Sequence, residues 1–79
     1  MTNNTLEGIR SAFNIAFGTD INLINLDSTP GDIPKWDSLG HVILVAELEK
    51  VFNTSFEVDE VMEMEDVAAI VRLLSAKTV

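Results

Sequence analysis

The residues of this chain best placed for chemistry are Ser38, Asp37 immediately before it, and His41 one helical turn beyond. A serine hydroxyl can serve as a nucleophile or as a point of covalent attachment. An imidazole titrates near neutrality and could act as a general base. His41 is the only histidine, and no second catalytic group stands near it in sequence, so no nucleophile–base–orienter set can be assembled. An enzyme is therefore not expected, and packing or contact with an attached group is the favoured role for His41. The chain has no cysteine, so no disulfide and no thiolate of its own is available. Asp27-Ser28-Thr29-Pro30-Gly31-Asp32 superficially suggests a calcium loop, but it lacks alternating ligands and a closing Glu at the proper spacing. No metal site is expected. Gly31 and Gly40 are isolated and make no glycine-rich phosphate loop.

Ser38 needs an element to position it. Asp37 is a good N-cap, Pro34 lies just upstream, and a helix is expected over Ser38 to Phe52 with Asn53 as its stop. Ser38 then stands at the positive end of that helix, where backbone N–H groups and the helix dipole favour a bound or attached phosphate. Serines at helix starts are also common for structural reasons alone.

The helix itself is apolar on too many sides. At about 100° per residue, Leu44, Leu48, Val51 and Phe52 form one stripe, with Val45 beside it, and this is the expected core face. Leu39, Val42, Ile43 and Ala46 project from the other side, where a surface helix is normally polar. Either neighbours cover both sides, or an apolar strip stays exposed for docking. Docking is the favoured reading, because so short a chain offers few elements for coverage.

The remaining elements follow from periodicity and punctuation. Leu6, Ile9, Phe13, Ala16 and Phe17 recur at helical spacing, and a first helix is expected from Thr5 to Phe17. Asn4 and Glu7 would form its capping box, and Gly18 would end it in a left-handed conformation. Gly18 to Trp36 reads as a long loop, pinned to the core by Ile21, Leu23, Ile24, Leu26 and Ile33. A short turn of helix is expected after Asp59. A last helix, capped by Asp66, is expected to run to Ser75, with Val67, Ile70, Val71 and Leu74 facing inward. No stretch alternates cleanly enough to demand a strand. The fold expected is all-α, with three main helices and one short one.

With 79 residues, residues 1–79 are expected to form one domain. A chain this small buries only about 60 % of the surface it exposes when unfolded, so a surface site suits it better than a deep cleft. Thirteen acidic residues against five basic ones give a net charge of −8, which argues against nucleic-acid binding. Glu57, Asp59, Glu60, Glu63, Glu65 and Asp66 cluster within ten positions. They are either a solvated face or a patch that steers basic partners. Met1 to Arg10 carry no apolar signal-peptide core, and no apolar run is longer than Val42 to Ala46. A soluble, cytoplasmic monomer without a membrane span is expected.

Trp36-Asp37-Ser38-Leu39-Gly40 resembles the attachment motif of acyl carrier proteins, whose core is Asp-Ser-Leu. Val42, Leu44, Val45, Leu48, Glu49 and Phe52 follow at the spacing of that family's second helix. A preceding helix and long loop, and a final helix opening Asp66-Val67, extend the resemblance over essentially the whole chain. It implies a four-helix bundle of acyl-carrier type, with a long loop between helices 1 and 2. It also implies that a phosphopantetheinyl transferase moves 4′-phosphopantetheine from coenzyme A onto Ser38, using a divalent metal held mainly by the transferase. The arm's own thiol would then carry acyl groups as thioesters to acyl-transferring, acyl-activating or condensing enzymes. Asp37 would help present Ser38 to the transferase, alongside its capping role.

The same resemblance implies docking roles for Leu39, Val42 and Glu49, to which Ile43 and Ala46 are added from the apolar strip. It implies an acyl pocket between the second and third helices, for which Val45, Leu48, Phe56, Val61 and Met64 are the candidates. Met62 and Met64 are read first as core filling and otherwise as pocket lining. Trp36 is read as stapling loop to helix, with contact to the arm or a partner as the alternative. Gly40, Ile43 and Lys50 depart from positions that are commonly acidic in fatty-acid carriers. That points to a specialised fatty-acid or polyketide-type pathway. An aminoacyl or D-alanyl carrier shares the same site and fold. A small acidic helical interaction module that is never modified is the reading from a different class.

Overall fold

A computed structural model describes the backbone of residues 2–77 and the side chains of residues 5–77. The described residues form four α-helices and no strand: α1 (Thr2–Phe17), α2 (Ser38–Phe52), α3 (Val58–Met62) and α4 (Val67–Lys77). A single 3-10 turn, Ile21–Leu23, interrupts the loop between α1 and α2. Among the described residues, no helix is long and apolar enough to cross a membrane.

α1 begins three residues earlier than expected, so Asn4 lies within the helix backbone. Its side chain, expected to cap, lies outside the described residues. Glu7, its expected partner, instead pairs with Arg10 at 3.3 Å. Ile9, Ala12 and Phe13 are fully buried, and Phe17 nearly so. Gly18, at φ +70, ends the helix in the left-handed region as its residue type allows. Its N–H closes the last turn on the Asn14 carbonyl at 2.8 Å.

The long loop is ordered by polar contacts as much as by apolar ones. Of its five apolar residues only Ile24 and Ile33 are buried, while Ile21, Leu23 and Leu26 face solvent. The 3-10 turn is why: Asp20 caps it, accepting the Asn22 N–H at 2.9 Å, and it turns Ile21 and Leu23 outward. Arg10 Nε donates to the Ile24 carbonyl at 3.0 Å, tying the loop to α1. At the far end, the N–H groups of Val67 and Ala68 donate to the carbonyls of Ser28 and Leu26 at 3.0 and 3.1 Å. These are N–H groups that a helix start leaves without an intrahelical partner, so the loop completes α4 while α4 holds the loop.

α1 packs against both α2 and α4. The core joins Ile9, Phe13 and Phe17 to Leu44 and Leu48 of α2 and to Val67, Ile70 and Leu74 of α4. α2 spans the expected residues, and Asn53 ends it at φ 51 in the left-handed region. Its core face is narrower than expected. Val51 is exposed, and Phe52 is half-buried against Gly8, where a Cβ would meet the Phe52 ring tip at 2.5 Å. In α3, Met62 is exposed rather than core filling, whereas Met64, just beyond it, is buried. α4 is capped by Asp66, which accepts the Ala69 N–H at 2.8 Å, and it continues past Ser75 to Lys77. Val71, expected to face inward, is half-buried.

Candidate functional site

The start of α2 is built by the residues around Ser38 rather than by Ser38 itself. Asp37 is extended, and its carboxylate accepts the Gly40 N–H at 2.8 Å. Its carbonyl accepts the His41 N–H at 2.7 Å, the first helical bond. The cap position is therefore filled by Asp37. Ser38 is exposed, and among the described residues its hydroxyl makes no hydrogen bond.

Gly40 is buried, and its lack of a side chain is used. A Cβ there would run into the carbonyl oxygen of Lys35 and lie 3.1 Å from the Phe17 ring. Lys35 stands at φ 74, so the loop turns sharply onto the helix just before Trp36.

Trp36 is 2 % exposed and meets Phe13 edge-on, ring centroids 5.0 Å apart. This is the stapling role expected of it. Its indole Nε1–H donates to His41 Nδ1 at 2.8 Å. That donation requires a lone pair on Nδ1, so the neutral ring carries its hydrogen on Nε2. Nε2 lies 3.0 Å from the Val61 carbonyl, to which it donates. Both ring nitrogens of His41 are thus engaged in bridging the loop, α2 and α3. Neither is directed to deprotonate Ser38.

A cavity of about 580 Å³ opens beside Ser38. Pro30 and Trp36 line it from the loop, Asp37, Ser38 and His41 from the start of α2, and Val61, Met62, Met64 and Glu65 from α3 and the turn after it. Its wall is largely apolar, and it opens to solvent. Val61 and Met64 were candidates for such a pocket, and the fold brings them here. The other three candidates lie elsewhere: Val45 and Leu48 belong to the buried core, and Phe56 is half-buried against it with Lys77 over its ring at 5.3 Å. Met62, read as lining only in the alternative, also stands here, whereas Pro30, Trp36, His41 and Glu65 were missed as lining residues. Only the methionine composition hinted at an adaptable wall.

Leu39, Val42, Ile43 and Ala46 are all exposed, Leu39 at 73 % and Val42 at 64 %. Neighbours therefore do not cover both sides of α2. Val58 and Met62 of α3 are exposed as well. Glu49 is different. It is half-buried, and its carboxylate accepts the Phe56 N–H at 2.9 Å, holding the connection from α2 to α3.

The acidic cluster divides in the same way. Glu60 accepts the Glu57 N–H at 2.8 Å and pairs with Lys77 at 2.9 Å. The Glu57 N–H first, and then the Lys77 ammonium, hold the Glu60 carboxyl below its ordinary value of 4.5. Asp66 caps α4. Asp59, Glu63 and Glu65 remain exposed without such a task. In the Asp27–Asp32 segment, the Asp32 carboxylate accepts the Thr29 N–H and hydroxyl at 3.1 and 3.0 Å, which makes it a turn clasp.

Among known proteins, no family model matches the chain and no curated protein matches it.

Proposed function

We propose that the chain is an acyl carrier protein of the four-helix type, with Ser38 as the attachment point of 4′-phosphopantetheine. The observation that carries this reading is the state of Ser38. It stands in the first turn of a fifteen-residue helix, exposed, and Asp37 has taken the capping task a serine there would ordinarily perform. Its hydroxyl is left for chemistry, at the end of the helix where backbone N–H groups and the dipole favour a phosphodiester. The neighbouring cavity gives an attached apolar chain a wall to lie against, and the exposed strip from Leu39 to Ala46 gives partner enzymes a surface to grip.

In the loading step the Ser38 oxygen forms a bond to the pantetheine-linked phosphorus of coenzyme A. The pyrophosphate bond breaks, adenosine 3′,5′-bisphosphate leaves, and the serine proton passes to the transferase. The transferase brings the divalent metal. When bound, the arm supplies the thiol that this cysteine-free chain lacks. The chain's own residues present Ser38, tether the cargo and raise its effective concentration at a docked active site. Reaction chemistry belongs to the partners, and a specialised fatty-acid or polyketide-type pathway is the proposed setting.

The test is intact-protein mass spectrometry after incubation with coenzyme A, magnesium and a broad-specificity phosphopantetheinyl transferase. A gain of one phosphopantetheine, lost in a folded Ser38→Ala variant, is the expected result. A folded chain that gains nothing from this enzyme and from transferases of other specificity overturns it. The exposed apolar strip then supports an unmodified interaction module instead. Loading by adenylating ligases for amino acids, rather than acyl groups, would shift the cargo to the aminoacyl or D-alanyl class.

A further inference from the structure

We propose that the hydrogen-bond chain Trp36–His41–Val61 is a latch that holds α3 over the cavity at Ser38, closed while His41 is neutral and released when it is protonated. His41 is a positioning residue in this scheme and touches no reacting atom. The inference deepens the reading of the Ser38 site, but the latch itself is a property of the unmodified chain.

The donor–acceptor inventory of the three groups fixes the behaviour. An indole N–H only donates, and a backbone carbonyl only accepts. The group between them must therefore accept on one side and donate on the other. The neutral imidazole with its hydrogen on Nε2 does this, with contacts of 2.8 and 3.0 Å. The imidazolium has a hydrogen on both nitrogens and no acceptor. Two N–H groups would then face each other across the Trp36–His41 contact, and rotating the ring by half a turn restores nothing. Trp36 cannot retreat, because it is wedged against Phe13 and 2 % exposed. The ring of His41, half-buried and at the cavity wall, is the part able to move. When it moves, Val61 loses its donor.

α3 has little else to hold it there. Five residues are too few for a helix to sustain itself. Val58 and Met62 point to solvent, so Val61 and the following Met64 carry its apolar attachment. The Glu60–Lys77 pair ties α3 to α4, and neither residue lines the cavity. The His41–Val61 bond is the side-chain link from α2 to α3 itself, whereas the Glu49–Phe56 N–H bond holds only the connection before α3.

The ionisable groups that share this cavity with His41 are Asp37 at the start of α2 and Glu65 after α3. On the other elements around it, Glu60 of α3 is turned to Lys77, Asp66 caps α4, Asp32 of the loop clasps Thr29, and Lys35 is exposed.

The experiment is NMR of the ¹⁵N-labelled, unmodified chain, titrated from about pH 8 to about pH 5. At the upper end, the long-range imidazole spectrum should show the Nε2–H tautomer. On acidification, the Trp36 indole N–H and the amides of Val61 to Met64 should shift together with the His41 ring, while the amides of Ile9 and Ile70 stay in place. His41→Gln can accept from Trp36 and donate to Val61 without titrating, so its α3 amides should hold their neutral positions at every pH. His41→Phe keeps an aromatic ring but neither bond. Its α3 amides should stay at the acid positions and exchange with solvent roughly tenfold faster. A ring that titrates while α3 does not respond overturns the latch. So does an Nδ1–H tautomer, a ring that stays neutral throughout, or an α3 shift that persists in His41→Gln. If His41→Phe does not fold, the wild-type and His41→Gln titrations decide alone. None of these outcomes depends on whether Ser38 can be loaded.

Discussion

Replacing Gly40 by alanine adds one methyl group at the most crowded point of the helix start. The methyl would run into the Lys35 carbonyl oxygen, lie 3.0 Å from the Lys35 carbonyl carbon and 3.1 Å from Phe17. Two of the three atoms are backbone, so no side-chain tip can swing aside. The Lys35 carbonyl can move only with its peptide plane, which leads directly into Trp36, held by the Ile33 carbonyl at 3.2 Å and by Phe13. Overpacking against rigid neighbours costs about 1–3 kcal/mol. Alanine returns up to about 1 kcal/mol of helix propensity over glycine. The net expectation is a loss of about 1–2 kcal/mol. With a urea m-value of about 1 kcal/mol/M for a domain this small, the midpoint should fall by about 1–2 M. Trp36 is the only tryptophan, so its fluorescence reports both the unfolding and the displaced indole in the folded state. Gly31→Ala is the control: its Cβ would meet only Thr29 Oγ1, at 3.7 Å, and it should be neutral or slightly stabilising. A Gly40→Ala chain as stable as the parent, with unchanged folded-state fluorescence, would show that the loop does not bear on the helix as argued.

Three further perturbations test the same region and its surroundings. Asp37→Ala removes the carboxylate that accepts the Gly40 N–H, and should cost about 1 kcal/mol in urea unfolding while Asp37→Asn retains most of it. Lys35→Gly relieves a non-glycine residue at φ 74 and should raise stability by up to about 1 kcal/mol, an effect that would be absent if the turn relaxed at no cost. The depressed Glu60 carboxyl contributes stability that is complete above its ordinary value of 4.5 and is lost as pH falls through its lower folded value. Lys77→Met removes one of its two lowering partners, so thermal melts in acid should show a shallower loss than the parent; an identical acid limb would mean that the ion pair holds nothing.

What could be read from the sequence was what local chemistry decides. The spans of α2 and the end of α1, the cap at Asp37, the stop at Asn53 and the cap at Asp66 each follow from a residue type within one turn of the feature. Val51 was put on the core face and is exposed, because a helix apolar on nearly every side carries only a weak directional signal for where its core face ends. The exposure of Ile21 and Leu23 depended on a 3-10 turn set by Asp20, which apolar counting does not see. Glu49 and Glu60 read as surface charge, whereas each accepts a backbone N–H from a residue whose position the fold had first to fix. Gly40 stood out only as a departure from a commonly acidic position. Its physical reason is a carbonyl five residues upstream, turned inward by the left-handed Lys35. An acidic side chain at position 40 would not fit this loop. The bridge from His41 to Val61 spans twenty residues and has no sequence signature at all.

The division of labour around Ser38 explains how so small a domain can keep a chemically available hydroxyl without weakening itself. A serine that capped α2 would have its oxygen committed to a backbone N–H, and esterifying it would break the helix start at about 1 kcal/mol. Here the cap is Asp37, the close approach is made at Gly40, and the loop is fastened by Trp36. Each of these lies within three residues of Ser38, and none uses its side chain. The proposed modification at Ser38 would thereby be uncoupled from folding, and the Ser38→Ala variant should unfold at the parent's urea midpoint. A large loss of stability in that variant would mean that the hydroxyl is a structural group after all, and the attachment reading would lose the observation on which it stands.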